Sequence, residues 1–373
     1  MQFPIFKTKS KGLGANARAG DELRSSSRFA NAHVFDLNSP KERTAYFNCK
    51  AGAEIKKLRD YLNKGNTFIA YLLGKKSSGK GTYAKMLAEI VAPAKIEHFS
   101  VGDMIRNVDA ELKDRKKKKE LVQFLEKNYR GWSTTKELIS LLEKRSVKAL
   151  LPTDLILTLT KREIERRPKK AIFIDGFPRD LDQINFSLFF RDLVGHRQDP
   201  DLFVLINVPK NVIDERIKSR RVCPKCQTSR NLKLLPTSKV GYDKKKKEFY
   251  LLCDNPACQE IKLVPKEGDE FGIKPIEKRL EKDEKLIFQT FSLYGIPKVF
   301  LRNAIPKAKA RECVDNYELT PEYYYVWNEK LQKAEVKEKT WVVMDDEGKP
   351  SYSLLPPPIV VSLIKQLTDI LKL

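Results

Sequence analysis

The sequence lacks any apolar run long enough to cross a membrane. Its longest clean run, residues 68–73, has the length of a strand, whereas a spanning helix needs about 20 predominantly apolar residues. The first residues also lack the basic and apolar regions of a secretory signal. Asp21 and Glu22 disfavour an organelle transit peptide over residues 7–28, because such peptides are poor in acidic residues. We therefore expect a cytoplasmic protein without membrane association.

Acidic residues are too few to balance the basic ones. Lys and Arg total 72 against 49 for Asp and Glu, which gives a net charge of +23 at pH 7. A field of this sign attracts polyanions such as nucleotides, RNA or anionic lipid. The basic runs at residues 115–119 and 244–247 are also typical of solvated helix faces or loop tips. We expect the second run at the turn of a hairpin whose strands are residues 232–235 and 249–252. Composition alone does not separate weak RNA or polyanion binding from a solvated surface.

Cysteine is scarce, but four of the six cysteines form two close pairs, Cys223/Cys226 and Cys253/Cys258. Without a secretory signal, paired cysteines indicate metal ligands rather than disulfides. The Cys-x2-Cys and Cys-x4-Cys spacing around a hairpin-like stretch favours a tetrahedral zinc site with four thiolates. Such a closed site leaves no open position, so the metal would be structural. Iron, or two unrelated pairs of buried thiols, are the alternatives.

Short apolar runs alternate with helical stretches from residue 67 onward. The runs occupy residues 67–73, 96–100, 171–175, 202–208 and 298–301. Continuous apolar runs are typical of parallel strands buried on both faces, and their alternation with helices indicates βαβ units. The pattern predicts an α/β fold with a five-stranded parallel sheet flanked by helices.

A phosphate loop follows the first apolar run and precedes a helical stretch, which is the context that this motif requires. Its glycines let backbone N–H groups point at phosphate oxygens, and the helix N-terminus adds the positive end of its dipole. Lys80 would reach the β- and γ-phosphates. Gly81 stands where many P-loop proteins carry a magnesium-binding Ser or Thr. The predicted ATP-binding residues of the loop are Gly74, Ser77, Ser78, Gly79, Lys80, Gly81 and Thr82.

Two further motifs directly follow apolar runs, at the edge where a parallel sheet presents its ligand crevice. Their residues are Ser100, Val101, Gly102 and Arg106 in the first, and Asp175, Gly176, Arg179 and Gln183 in the second. Arg106 and Arg179 could each bind a phosphate group bidentately through the planar guanidinium. Gln183 has donor and acceptor groups with which it could read a base edge, and Asp175 would orient magnesium-bound water.

Together with Gly-Lys-Gly-Thr at residues 79–82, these motifs resemble the nucleoside-monophosphate kinases. The cysteine-bearing segment resembles the lid of long-form members of the adenylate kinase family, some of which hold zinc there. The resemblance implies a P-loop kinase with a helical acceptor-binding insertion, and reversible phosphoryl transfer from MgATP to AMP that gives two ADP. It assigns Arg216 to the ATP adenine. The implied catalytic residues are Lys80, Arg106, Asp175, Arg179, Arg220 and Arg279, and the implied AMP-binding residues are Ser100, Val101, Gly102, Arg106, Gly176, Arg179 and Gln183.

Acceptor choice has alternatives at this stage. Val101 stands where adenylate kinases usually carry a hydroxyl residue, and the stretch between Arg106 and residue 152 is longer than the family usually has. A UMP/CMP kinase or a kinase of broad acceptor range is therefore an alternative, although such kinases normally have a short lid without cysteines. An alternative of another class is a nucleotide-binding protein that acts on RNA or ribosomes.

The motifs divide the chain into three parts. Residues 1–64 are an N-terminal extension, residues 65–313 the kinase core and residues 314–373 a C-terminal extension. The core contains an acceptor-binding insertion at residues 101–165 and the lid at residues 216–270. In the C-terminal extension, residues 341–355 predict a hairpin and residues 359–370 a docked helix. By the same resemblance we expect a monomer.

Overall fold

The computed structural model describes residues 3–9, 34–144, 151–176, 193, 196–226 and 228–373. Within these ranges the α-helices are α1 (Pro40–Asn63), α2 (Lys80–Val91), α3 (Val101–Glu111), α4 (Arg115–Asn128), α5 (Thr135–Lys144), α6 (Thr153–Glu165), α7 (Lys210–Lys218), α8 (Glu277–Ser292), α9 (Lys307–Cys313) and α10 (Pro356–Ile370). The strands are β1 (Ile69–Gly74), β2 (Ile96–Ser100), β3 (Ala171–Asp175), β4 (Asp201–Asn207), β5 (Arg220–Val222), β6 (Ser229–Asn231), β7 (Val240–Asp243), β8 (Glu248–Leu251), β9 (Lys298–Arg302), β10 (Ala304–Pro306), β11 (Pro321–Asn328), β12 (Lys333–Thr340), β13 (Val342–Met344) and β14 (Pro350–Ser353).

The central sheet confirms the predicted fold. Five parallel strands lie in the order β2-β3-β1-β4-β9, so that β1 occupies the middle position. Its residues alternate between two buried faces: Ala70 and Leu72 face one apolar cluster, whereas Ile69, Tyr71 and Leu73 face the other. Both faces are covered because helices pack on each of them. The continuous apolar run of β1 reflects this double burial.

The C-terminal part of the chain packs into the main core. Helix α10 contacts β9, α1 and α2, and its apolar side chains Ile359, Leu363 and Leu367 are buried. Strand β14 pairs antiparallel with β10 and with β13, which confirms the predicted hairpin. The domain boundaries at residues 64 and 313 stay predictions, but residues 314–373 share the core of the sheet.

The lid is a small substructure built from two hairpins. Strand β5 pairs with β6, and β7 pairs with β8. The basic run 244–247 forms the turn between β7 and β8, as predicted, but residues 232–235 were wrongly expected to supply the first strand. Val240–Asp243 supplies it instead, because these residues directly precede the turn. Asp243 stabilises the turn, since its Oδ1 accepts from the amides of Lys245 and Lys246 at 3.0 and 3.1 Å.

The acceptor insertion is a group of four helices on one side of the sheet. Helices α3 and α6 contact each other, and α4 contacts α3, α5 and α6. Buried residues on these helices, among them Met104, Leu121, Leu142 and Leu155, join the same apolar cluster as Ile69 of β1. The insertion is therefore an extension of the main core, with its first helix beginning where β2 ends.

Candidate functional site

The phosphate loop connects β1 to α2 in a strained conformation. Gly79 has a φ of +95° and Ser77 one of +64°. A side chain on Gly79 would lie 2.9 Å from the Tyr83 ring, and one on Gly74 would lie 2.6 Å from Ser78 Oγ and 3.2 Å from Ile206. The two glycines are thus required by left-handed backbone or close approach. Gly74, Lys76 and Ser77 of this loop line a cleft above the sheet.

Lys80 and Asp175 meet at this loop, as the two separate motifs predicted. The Lys80 ammonium donates to the carbonyl oxygens of Gly74 at 2.8 Å and Lys75 at 3.2 Å. Its distance to Asp175 Oδ1 is 3.7 Å. The carboxyl end of β3 therefore lies beside the loop lysine, because β1 and β3 are neighbouring parallel strands.

The position after Lys80 lies close to a histidine ring. A Cβ atom on Gly81 would lie 3.3 Å from Cε1 of His98, a partly buried residue of β2. Burial lowers the pKa of His98, and the neighbouring Asp175 opposes that shift. The Gly-Lys-Gly-Thr pattern thus accommodates the imidazole that lies against the start of α2.

One cleft is lined by the phosphate loop and by the acceptor motifs at the same time. Its walls include Gly74, Lys76, Ser77, Lys80, Ser100, Gly102, Arg106, Asp175, Gly176, Arg279 and Asp283. Val101 does not line it, because its side chain is fully buried in the apolar cluster below α3. Arg179 and Gln183 lie outside the described residues. The remaining predicted residues from both motifs come together here, although their roles stay predictions.

The acceptor segment is held by Asp103. Ser100 caps α3 by accepting from the Asp103 amide at 3.0 Å, and its hydroxyl donates to the Asp103 carboxylate at 2.6 Å. The Ser100 hydroxyl and the Arg106 guanidinium lower the pKa of Asp103. The Arg106 side chain is 68% exposed and pairs with Asp103. An incoming phosphate would therefore compete with this carboxylate for Arg106.

Lys76 is a cleft residue that the sequence reasoning missed. Its backbone amide donates to Asp283 on α8 at 2.9 Å, and its side chain lines the cleft beside Arg279. Burial, together with the positive charges of Arg279 and Arg220, lowers the pKa of the Lys76 ammonium. This convergence of cations is typical of an anion-binding site. The phosphate-loop motif treats the position as variable, so it gave no signal.

The lid arginines are placed differently from one another. Arg220, at the base of the lid, forms a bidentate pair with buried Asp269, with Nε and Nη2 at 2.6 and 2.5 Å from the carboxylate oxygens. Arg216 donates to the Ser77 carbonyl at 3.3 Å. The predicted phosphate role of Arg220 would require it to break part of its pair with Asp269. Arg216 already contacts the phosphate loop.

The four predicted metal ligands converge. The Sγ atoms of Cys223, Cys226, Cys253 and Cys258 all lie within 4.8 Å of one another, and those of Cys226 and Cys253 are 3.7 Å apart. A tetrahedral zinc ion with Zn–S bonds of about 2.3 Å places its sulfurs about 3.8 Å apart. Burial and the neighbouring thiols raise the pKa of Cys258, while hydrogen bonds with Thr228 lower that of Cys226. These cysteines could hold a metal ion.

The chain is similar to known proteins over more than half of its length. A family model described as an AAA domain matches residues 73–225. The adenylate kinase of Thermotoga petrophila is 33% identical over 206 residues, which cover 54% of this chain and 75% of the relative. The adenylate kinase of Hydrogenobaculum sp. is 30% identical over 225 residues, which cover 60% and 85%. The chain belongs to the adenylate kinase family. It is accordingly a phosphotransferase of the nucleoside-monophosphate kinase type.

The match to the Thermotoga petrophila relative covers 54% of this adenylate kinase family member. Residues 73–225, which the family model matches, include the phosphate loop and both acceptor motifs. No helix in the part of the chain that the structure describes has both the length and the apolar character needed to cross a membrane.

Proposed function

We propose that the protein transfers the γ-phosphoryl group of MgATP to AMP and so produces two ADP. The observation that carries this proposal is one cleft lined both by Lys80 and Ser77 of the phosphate loop and by Ser100 and Arg106 of the first acceptor motif. A cleft in which both segments bind phosphate would suit transfer between two nucleotides. The relatives named adenylate kinase and the cysteine-bearing lid favour AMP over UMP or CMP.

The chemistry asks for positioning and positive charge. An oxygen of the AMP phosphate would attack the γ-phosphorus in line with the β–γ bridging oxygen, which leaves with the electron pair on ADP. Lys80 would bind the β- and γ-phosphates, while Arg106 and Arg279 would flank the transferring group. These cations line one cleft, so the negative charge of the transition state would be balanced from several directions.

Magnesium suits the acidic residues of the cleft. Asp175, with a side chain that is 22% exposed beside Lys80, and Asp283 both line it. Carboxylate oxygens and waters are the ligands that Mg²⁺ prefers. Asp175 would hold the hydrated ion at the end of β3, and the ion would neutralise charge on the β- and γ-phosphate oxygens when bound.

The remaining assignments complete the two nucleotide sites. Arg216 would stack on the ATP adenine, and Arg220 would reach the transferring phosphates as the lid closes. Arg179 would bind the AMP phosphate, and Gln183 would read the adenine edge. Closure of the lid would exclude water, so that ATP is not hydrolysed. Zinc on the four cysteines would stiffen the lid, so that it moves as one body.

An acceptor panel tests the proposal. Purified protein is incubated with MgATP and separately with AMP, UMP, CMP and GMP, and the products are resolved by chromatography. We expect ADP formation with AMP, and a loss in kcat/KM of about 100-fold in Arg106→Ala, which removes a cation at the transferring phosphates. Equal transfer to UMP or CMP would replace the AMP proposal with a broad acceptor range. Binding of ATP without transfer to any acceptor would overturn it.

A further inference from the structure

The second residue of the phosphate loop points away from the cleft. The Lys75 side chain is 2% exposed, and its ammonium donates to Asp346 Oδ2 at 2.6 Å and to the Val208 carbonyl at 3.2 Å. Asp346 lies 271 residues later, in the turn between β13 and β14. The C-terminal hairpin thus contacts the phosphate loop directly, through a buried charge.

Adjacent acidic residues in that turn have separate tasks. Asp345 shapes the turn itself: it accepts from the Lys349 amide at 2.9 Å and from the Ser351 hydroxyl at 3.1 Å. Asp346 contacts neighbouring elements instead: its Oδ2 accepts from Lys75, and its Oδ1 accepts from the Lys210 amide at the start of α7, at 2.7 Å. Asp346 therefore joins three elements: the loop, α7 and the hairpin.

A buried ammonium needs a compensating carboxylate, because removal from water penalises the charged form. Glu284 is the second acid near Lys75, but it is 3.7 Å away and 49% exposed. Without Asp346 the Lys75 side chain would lose its closest carboxylate. It would then turn toward Glu284 or toward water and carry the loop backbone with it.

The backbone of Lys75 is linked to the reacting end of the loop. Its carbonyl accepts from the Lys80 ammonium at 3.2 Å, and the next amide, that of Lys76, donates to Asp283. A displaced Lys75 would therefore change the position of Lys80. We infer that Asp346 is a positioning residue for MgATP: it holds Lys75 so that the loop amides and Lys80 face the phosphates. This inference rests on the proposed use of MgATP but not on the identity of the acceptor.

Substitutions of Asp346 test this inference. The full chain is compared with Asp346→Ala, Asp346→Asn and Asp346→Glu, and Glu347→Ala is the matched control. Glu347 lies in the same turn, is exposed, and pairs with Lys349. MgATP affinity is measured by calorimetry without acceptor, KM is measured for each nucleotide, and thermal unfolding is followed for each variant.

We expect Asp346→Ala to weaken MgATP binding about tenfold, because small displacements of positioning groups have effects of this size or larger. KM for the acceptor should stay within twofold of the wild type. Asp346→Glu should recover most of the affinity, and Glu347→Ala should match the wild type. If Asp346→Ala does not fold, Asp346→Asn replaces it in the test, because it keeps an acceptor oxygen without the charge. We expect Asp346→Asn to weaken MgATP binding less than tenfold but measurably.

Unchanged MgATP affinity in a folded Asp346 variant would overturn the inference and leave the pair a purely structural contact. A parallel loss of affinity for both nucleotides would overturn it as well, because a positioning role at the loop predicts a loss on the MgATP side. Absence of transfer to AMP in the wild type would contradict the proposed function alone, because calorimetry with MgATP would still test Asp346.

Discussion

The indole ring of Trp327 stacks on the ring of Tyr242, with centroids 4.9 Å apart and an interplanar angle of 23°. Trp327 belongs to the β11–β12 hairpin of the C-terminal segment, whereas Tyr242 belongs to strand β7 of the lid. A second ring pair, Phe249 and Tyr325 at 5.4 Å, continues the contact. The C-terminal segment therefore holds the lid through aromatic rings.

Truncation of Trp327 should loosen the lid. An aromatic pair contributes about 1 kcal/mol beyond its buried area, so Trp327→Ala should speed hydrogen exchange of the β7 and β8 amides at least about fivefold. The central sheet should be unaffected. The measurement is hydrogen exchange of the full chain without nucleotide.

Tyr324→Ala is the control for this change, because Tyr324 lies on the same strand and is 43% exposed. A double-mutant cycle of Trp327→Ala with Tyr242→Ala should give a coupling energy of about 0.5–1.5 kcal/mol. Equal acceleration in Tyr324→Ala, or strict additivity in the cycle, would contradict the role assigned to the stacked pair.

A metal ion held by the four cysteines would support the lid, so its removal should unfold the lid and leave the sheet intact. The lid has a small buried core, in which the cysteines themselves take part with Leu251 and Leu263, so it has little apolar burial to support it. Metal binding to four thiolates contributes about 10–16 kcal/mol in small zinc modules. Chelation, or Cys226→Ser, should abolish exchange protection in the lid and slow turnover.

Cys49→Ser is the matched control for Cys226→Ser, because Cys49 is exposed and lies outside the four-cysteine group. Metal content by mass spectrometry of the intact protein should fall in Cys226→Ser and stay the same in Cys49→Ser. Unchanged lid protection and unchanged turnover after the metal has been removed would refute a stiffening role.

The sequence predicted the elements that depend on local pattern. The bounds of β2 and β3 agree with the predicted runs 96–100 and 171–175. For β3 the reason is its continuous apolar run, whose residues 171–174 are all buried. The β11–β12 hairpin was missed, since β12 has charged residues at most positions and is largely exposed. Lys75 and Asp346 were also missed, because the pair depends on a fold that joins residues far apart in the chain.

Replacement of Lys76 should change how MgATP binding depends on pH. The pKa of its ammonium is lowered in the nucleotide-free protein, and phosphate would raise it, so MgATP binding is favoured by the protonated form. Affinity should therefore fall as pH rises through the lowered pKa. Lys76→Met should weaken MgATP binding about tenfold at neutral pH, by loss of a charge-assisted contact, and should remove that part of the pH dependence.

Lys85→Met is a suitable comparison for Lys76→Met, because Lys85 is exposed on the helix that follows the loop. Calorimetry between neutral and alkaline pH measures both variants. A pH profile in Lys76→Met that equals the wild-type profile would show that another group is responsible for it.

Glu111 should make the stability of the protein depend on pH in the acid range, because it pairs with two arginines of the insertion. It accepts from Arg162 at 2.6 Å and from Arg166 at 2.8 Å, and these two partners lower its pKa against the effect of burial. A lowered carboxyl pKa contributes stability that is present above the unfolded value, about 4.3, and is lost as pH falls toward the folded value. Glu111→Gln should therefore lower the free energy of unfolding by about 2 kcal/mol or more at neutral pH. This difference from the wild type should shrink below about pH 4.3.

Urea unfolding at both pH values measures the free energy of unfolding of Glu111→Gln and of the wild type. Glu143→Gln is the control, because the Glu143–Lys118 pair is 42% and 39% exposed and should contribute under about 1 kcal/mol. Equal losses in the two variants would contradict the role assigned to the partly buried Glu111.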